Sequence, residues 1–351
     1  MAFKLKFRPI WFDSLGAKSS CTFVETPDVK ILIDPGVAVM HPSFPATQKA
    51  KKRWYEQAYT AIIEAAQNAD VITISHYHYD HFIDFDKRVY QGKLILAKDP
   101  NKYINDSQRG RAEHFYDNLY SKLANQRLSE VMLPPKQSEY PDPMKQLKEA
   151  LNRDFGDYQK RRQSLLEAGE KWFKARARKW ANYPRIPALK GEKVEVRFAD
   201  RCELKFGSTK IKLHGPLFHG VEYSRVGWVF AVVIEYGGEK LLHSSDLNGP
   251  VIEDYAQWII EEQPDILILD GPMTYMLGYT LNLTNLRRTI ENAVRIVEEA
   301  SCRLIVYDHH LPREPKFREH TKPVWDKASR LGVKLVTAAE LLNKQPVVLE
   351  K

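Results

Sequence analysis

A chain of 351 residues with 43% hydrophobic side chains can bury a large core and approaches the upper size of a single domain. No apolar run nears the roughly 18–20 residues that span a bilayer, and residues 1–7 lack the apolar stretch of a signal peptide, so a cytoplasmic protein without membrane contact is expected. Three scattered cysteines (Cys21, Cys202 and Cys302) argue against a disulfide framework, and the formal net charge of +8 raises the question of an anionic partner.

In chain order, residues 3–8, 21–26 and 30–34 read as short strands of a meander. From residue 55 to 67, apolar side chains recur at helical spacing: Tyr55, Ala58, Ala61, Ile62, Ala65 and Ala66. Residues 71–75 and 94–97 are apolar runs of buried-strand length. The block 103–193 reads as helical, charged and aromatic, and most of the surplus positive charge falls within it. Its densest part runs from Leu165 to Trp180, where Lys171, Lys174, Arg176, Arg178 and Lys179 surround Trp172, Phe173 and Trp180. Two accounts of it stay open: a basic helical cap that draws phosphate or nucleic acid to a site, or solvated amphipathic helices docked by their aromatics. Strands follow at 194–198, 202–206, 211–214, 229–236 and 240–244, with Gly237-Gly238 as a tight hairpin between the last two. Helices at 253–262, 285–300 and 323–331 then alternate with strands at 266–269, 303–307 and 333–336. Two βα-rich halves of this kind predict an α+β fold, a four-layer αββα sandwich over residues 1–351 with 103–193 inserted.

The chemistry concentrates at residues 76–81, His-Tyr-His-Tyr-Asp-His, directly after the apolar run Val71-Ile72-Thr73-Ile74-Ser75. Imidazole and carboxylate are the ligands that catalytic zinc, iron and manganese take. His76 and His78, two apart, can be aimed at one ion by an extended segment. Asp80 and His81, in the turn that follows, can face a second.

This H-x-H-x-D-H string resembles the signature of the metallo-β-lactamase superfamily of binuclear metal hydrolases. Asp34-Pro35-Gly36 after residues 31–33 is similar to its early strand-Asp-Pro-Gly segment, whose Asp steadies the metal-binding loop without binding metal. Residues 215–220, with His219, resemble the third motif. Residues 243–246, with Asp246, resemble the fourth, and Asp308-His309-His310 the fifth. Together with Ser107-Gln108-Arg109, Asp246-Leu247-Asn248-Gly249-Pro250 and Leu269-Asp270-Gly271-Pro272, the chain from about residue 6 to 343 resembles an uncharacterised archaeal family of metallo-β-lactamase-like hydrolases.

The resemblance implies that His76, His78 and His219 hold one ion, that Asp80, His81 and His309 hold a second, and that Asp246 bridges them. Two divalent ions follow, zinc first, with manganese or iron accepted by the same mixed ligands. A hydroxide between the ions would be the nucleophile, oriented by Asp80. His214, at a strand end, is assigned a structural role. His309 and His310 cannot both point inward from an extended segment, so His309 is taken as the ligand, leaving His310 for substrate or acid chemistry. Asp270 either orients a ligand imidazole or caps the turn before Gly271. The expected function is a metal-dependent hydrolase acting on a phosphodiester, another ester or a lactone, with a small or phosphate-bearing substrate. The alternative is a nucleic-acid-binding protein or nuclease that uses the basic block.

Overall fold

Neighbouring residues on one strand face different layers, and that alternation builds the molecule. Ile31 and Ile33 join a core shared with Phe230, Val232, Ile266 and Ile268, whereas Leu32 between them packs with Ala58 and Ile62 of the helix Gln48–Gln67. The computed structural model describes residues 3–350. The first sheet holds β1 (Lys6–Phe12), β2 (Ser20–Glu25), β3 (Lys30–Ile33), β4 (Val71–Ile74), β5 (Leu94–Ala97) and β6 (Glu195–Phe198) in that order. The second holds β7 (Cys202–Phe206), β8 (Thr209–Phe218), β9 (Trp228–Tyr236), β10 (Glu239–His243), β11 (Ile266–Asp270), β12 (Leu304–Asp308) and β13 (Lys334–Val336), likewise in sequence order.

In both sheets an antiparallel part runs into a parallel one. β3 to β6 are parallel, as are β10 to β13. The inner faces share one apolar layer. The outer face of the second sheet (Ala231, Val233, Leu267, Ile305) packs with Ile259 of the helix Glu253–Glu262 and Ile296 of the helix Leu283–Glu299. This is the expected αββα order, and each fully buried Ile, Leu or Val contributes ~1.5–3 kcal/mol toward it. Among the described residues, no helix is long and apolar enough to cross a membrane.

Most expected elements are present, with boundaries moved for identifiable reasons. Gly237 and Gly238 have φ of 62° and 82° and join β9 to β10 in a two-residue hairpin. The helix expected from residue 55 begins at Gln48, where the Thr47 hydroxyl accepts from the Ala50 amide at 3.2 Å. β1 lies at Lys6–Phe12, displaced from 3–8. The strand expected at 211–214 runs on to Phe218, because a bulge between His214 and Leu217 absorbs Gly215-Pro216.

The block 103–193 contains the helices Asp106–Leu119 and Gln159–Asn182 and several shorter ones. Aromatic side chains dock the long helix: Trp172 stacks on Trp228 at 5.4 Å, and Trp180 meets the same ring edge-on at 5.3 Å. Part of the basic charge is engaged in place. Arg176 and Lys179 close on Asp106, and Lys174 pairs with Glu170. Arg162 meets Glu222 at 2.9 Å, tying the helix to the 219–227 loop.

Candidate metal centre

Every residue of the His/Asp constellation follows the C-terminal end of a strand. β3 leads into Asp34, β4 into His76, β8 into His219, β10 into Asp246, β11 ends on Asp270, and β12 leads into His309. Because these strands run the same way, their ends share one edge of the sandwich. That edge is where open α/β sheets place ligands.

The structure brings His76, His78, His219 and Asp246 together, with one potential ligand atom from each within 4.8 Å of the others. Asp80, His81 and His309 form a second such set. Asp246 faces both sets. Its Oδ2 lies 3.4 Å from His76 Nε2 and 3.1 Å from His219 Nε2. Its Oδ1 lies 3.1 Å from His81 Nε2 and 3.4 Å from His309 Nε2. Asp80 Oδ2 stands 3.9 Å from His309 Nε2. His78 and Asp80 are the part-exposed members, so the open side of the site is theirs.

One expectation is overturned. His309 and His310 both turn inward, with ring centroids 4.2 Å apart, and Asp246, His309 and His310 form a third convergent set. The segment is not extended there: His310 has φ of 64°, which rotates its side chain back toward the site. His214, as expected, lies apart, stacked on Trp258 at 4.2 Å.

Comparison with known proteins gives the chain its family. Residues 16–116 match the family model described as a beta-lactamase superfamily domain. A UPF0282 protein of Korarchaeum cryptofilum is 31% identical over 99% of this chain and 92% of its own length. The chain belongs to the UPF0282 family. A second UPF0282 protein, from Methanopyrus kandleri, is 30% identical over 97% of this chain and 95% of its own. Among solved structures, the metallo-β-lactamase fold protein YhfI of Bacillus subtilis is similar over 95% of both chains at 15% identity, with a TM-score of 0.42. The beta-lactamase superfamily match in this UPF0282 chain lies within the αββα layers described above.

A second layer of carboxylates fixes the rings in this UPF0282 chain. Asp34 accepts from the Ser75 amide at 2.8 Å and the Ser75 hydroxyl at 2.6 Å, and its Oδ2 lies 2.8 Å from His81 Nδ1. Asp13, which sequence reasoning missed, does the same for the other ring, with Oδ1 3.1 Å from His309 Nδ1. Asp13 also accepts from the His310 amide at 2.8 Å and from Arg313 Nε. Its only local signal is a turn before Gly16, which carries no chemistry. Asp270 gathers the backbone amides of Asn248 and Gly249 and stands 3.6 Å from His310 Nδ1. It therefore holds the loop after β10 rather than the turn before Gly271, whose amide goes to the His309 carbonyl, and the imidazole it faces is His310. Carboxylates behind imidazoles in this way set tautomer and orientation.

The charges suit a cation. Burial, reinforced by neighbouring imidazoles, lowers His76, and it lowers His78 to about 3, so both rings stay neutral. Burial would lower His81 too, but Asp246 and Asp34 raise it well above its ordinary value. His309 is likewise raised against burial by Asp13 and Asp246. Burial would raise Asp80 and Asp246, yet His81 and His309 hold both far into the ionised range. Asp270 goes the other way, to about 8, through burial and the Asp246 charge.

Both ring nitrogens of His219 and Asp246 Oδ1 are buried without a well-directed hydrogen bond, although His219 Nε2 and Asp246 Oδ1 each lie 3.1 Å from another residue of the site. Buried polar atoms left this way lack a partner. Neutral His76 and His78 beside the ionised Asp246 fit a divalent ion at the first point; at the second, His81 and His309, held protonated by their carboxylates, would release those protons to an ion, because metal ligands must be deprotonated.

Proposed function

We propose that this chain is a metal-dependent hydrolase that cleaves a phosphodiester or another ester or lactone, with two divalent ions, zinc first, as its cofactors. The observation that carries the proposal is Asp246, whose two oxygens each face a separate set of ligands. Two ions held there would acidify water and polarise an ester or phosphoryl oxygen.

The chain's own residues do the rest. Asp246 keeps the two halves at fixed spacing. Asp80, ionised and part-exposed at the open side, is placed to orient water through Oδ2. Asp34 and Asp13 hold His81 and His309 from behind. The thiols supply no competing nucleophile at this site: burial raises Cys21 well above its ordinary value and Cys302 to about 12. Free cysteines fit a reducing cytoplasm.

The test is metal content per chain by mass spectrometry, after purification without chelator or His tag, together with hydrolysis of bis(p-nitrophenyl) phosphate. About two ions are expected in wild type, fewer in Asp246→Ala, with turnover lost in His78→Ala. Wild-type protein that holds no metal after reconstitution would sink the assignment.

A further inference from the structure

The charge of Asp80 acts on three cations, and they differ in how they are satisfied. Arg313 is buried and committed. Its Nε donates to Asp13, its second nitrogen donates to the Tyr275 hydroxyl at 3.1 Å, and its third lies 3.6 Å from Asp80 Oδ2.

Arg111 comes from the helix Asp106–Leu119 and reaches the His78 side of the site. Its Nε donates to the Tyr77 carbonyl, and its guanidinium carbon lies 5.5 Å from the centroid of the Tyr79 ring. That carbonyl and that ring fix the guanidinium plane without neutralising it. Among the described residues it makes no ion pair.

Lys18 adjoins Ser19, whose carbonyl stands 3.1 Å from His309 Nδ1, and the charges of Arg313, Asp80 and Asp13 act on its ammonium. Its main chain is pinned to Ala38 by two hydrogen bonds of 2.9 Å, and its ammonium has no hydrogen bond or ion pair among the described residues. Burial and Arg313 hold Lys18 below its ordinary value, and burial does the same to Arg111.

A part-buried cation that closes no ion pair is unfavourable. Two such cations beside clusters built for divalent ions make it more so. Both side chains keep some exposure, at the side of the site where His78 and Asp80 are open. An anion arriving there would be met by two preplaced cations.

We propose that Lys18 and Arg111 form an anion-recognition pair at the mouth of the metal centre, selecting substrates with an oxyanion, phosphoryl or carboxylate, beside the bond to be cleaved. This rests on the hydrolase reading above.

The test uses the full metal-loaded chain and the variants Lys18→Met and Arg111→Met, singly and together. Two esters with the same leaving group are compared, anionic bis(p-nitrophenyl) phosphate and neutral p-nitrophenyl acetate, alongside calorimetric titration of inorganic phosphate and of acetate. The ratio of the two kcat/KM values is expected to fall roughly tenfold or more in the double variant. Phosphate binding weakened by a similar factor marks a phosphoryl site, and acetate binding so weakened marks a carboxylate site. A proportional loss on both esters, the mark of a deformed metal centre, overturns the pairing, as does an unchanged ratio. If wild type cleaves neither ester, the hydrolase reading fails by itself and the titrations decide. Anion binding in wild type that the double variant lacks supports the site, and no binding or equal binding overturns it.

Discussion

Replacing Gly36 with alanine should empty the metal centre without touching any ligand. Gly36 lies beneath the turn that carries His81. A Cβ built on it would stand 2.2 Å from the backbone nitrogens of both His81 and Phe82. Non-bonded heavy atoms settle at roughly 3.5 Å, so the two segments must part by about 1 Å. Neither can yield cheaply. The Gly36 amide is bonded to the Asp34 carbonyl at 2.8 Å, and the Ile83 amide to the Pro35 carbonyl at 2.9 Å. Asp34 itself holds the Ser75 amide and His81 Nδ1 at 2.8 Å. Metal–ligand distances tolerate only about 0.2 Å, so a displacement several times larger removes His81 as a ligand. Forced overpacking also costs about 1–3 kcal/mol of stability. Metal per chain by mass spectrometry and the urea midpoint should therefore both fall in Gly36→Ala. Gly110→Ala is the control. That glycine sits exposed inside the helix Asp106–Leu119 with nothing within 4 Å of a new Cβ, and the change should stabilise by about 0.5–1 kcal/mol at unaltered metal content. Wild-type metal stoichiometry and midpoint in Gly36→Ala would refute the reasoning.

Arg288→Met should destabilise by about 3–5 kcal/mol, because Arg288 meets Glu222 and Glu253 at 2.7 Å each and both carboxylates are buried. Urea unfolding checks it, and a loss below 1 kcal/mol would count against the network as a brace for the 219–227 loop. His214 makes a pH prediction. Burial, then Lys212 and Arg201, lower it to about 4, while the unfolded chain titrates near 6.5. Its contribution is fully present above pH 6.5 and is lost as pH falls toward 4, because the unfolded state binds the proton first. His214→Phe keeps the stack on Trp258 and should gain on wild type by up to ~3 kcal/mol between pH 6.5 and 4; parallel stability–pH curves for the two proteins would contradict this.

The local patterns of this chain were legible because each depends on near neighbours. Apolar runs at 71–75, 266–269 and 303–307 marked strands, Gly237-Gly238 marked a hairpin, and the dense string at 76–81 marked metal-ligand chemistry. Motif order added His219, Asp246 and His309. What stayed hidden involves contacts between distant residues. Asp13 meets the His310 amide across 297 positions, and His81 approaches His309 across 228. No periodicity encodes such meetings. They exist only once two sheets align their strand ends along one edge. His310 shows the same limit at one residue: alternation predicts an outward ring for an extended segment, and a single φ of 64°, held by Asp13 accepting its amide, turns it inward. Composition likewise announced a basic insertion, but only packing showed Arg176 and Lys179 closed on Asp106 while Arg111 and Lys18 close no ion pair among the described residues. Residue types and spacing determined which chemistry is present. The tertiary structure decided which charges are satisfied, because neutralisation depends on distances that only the folded chain sets.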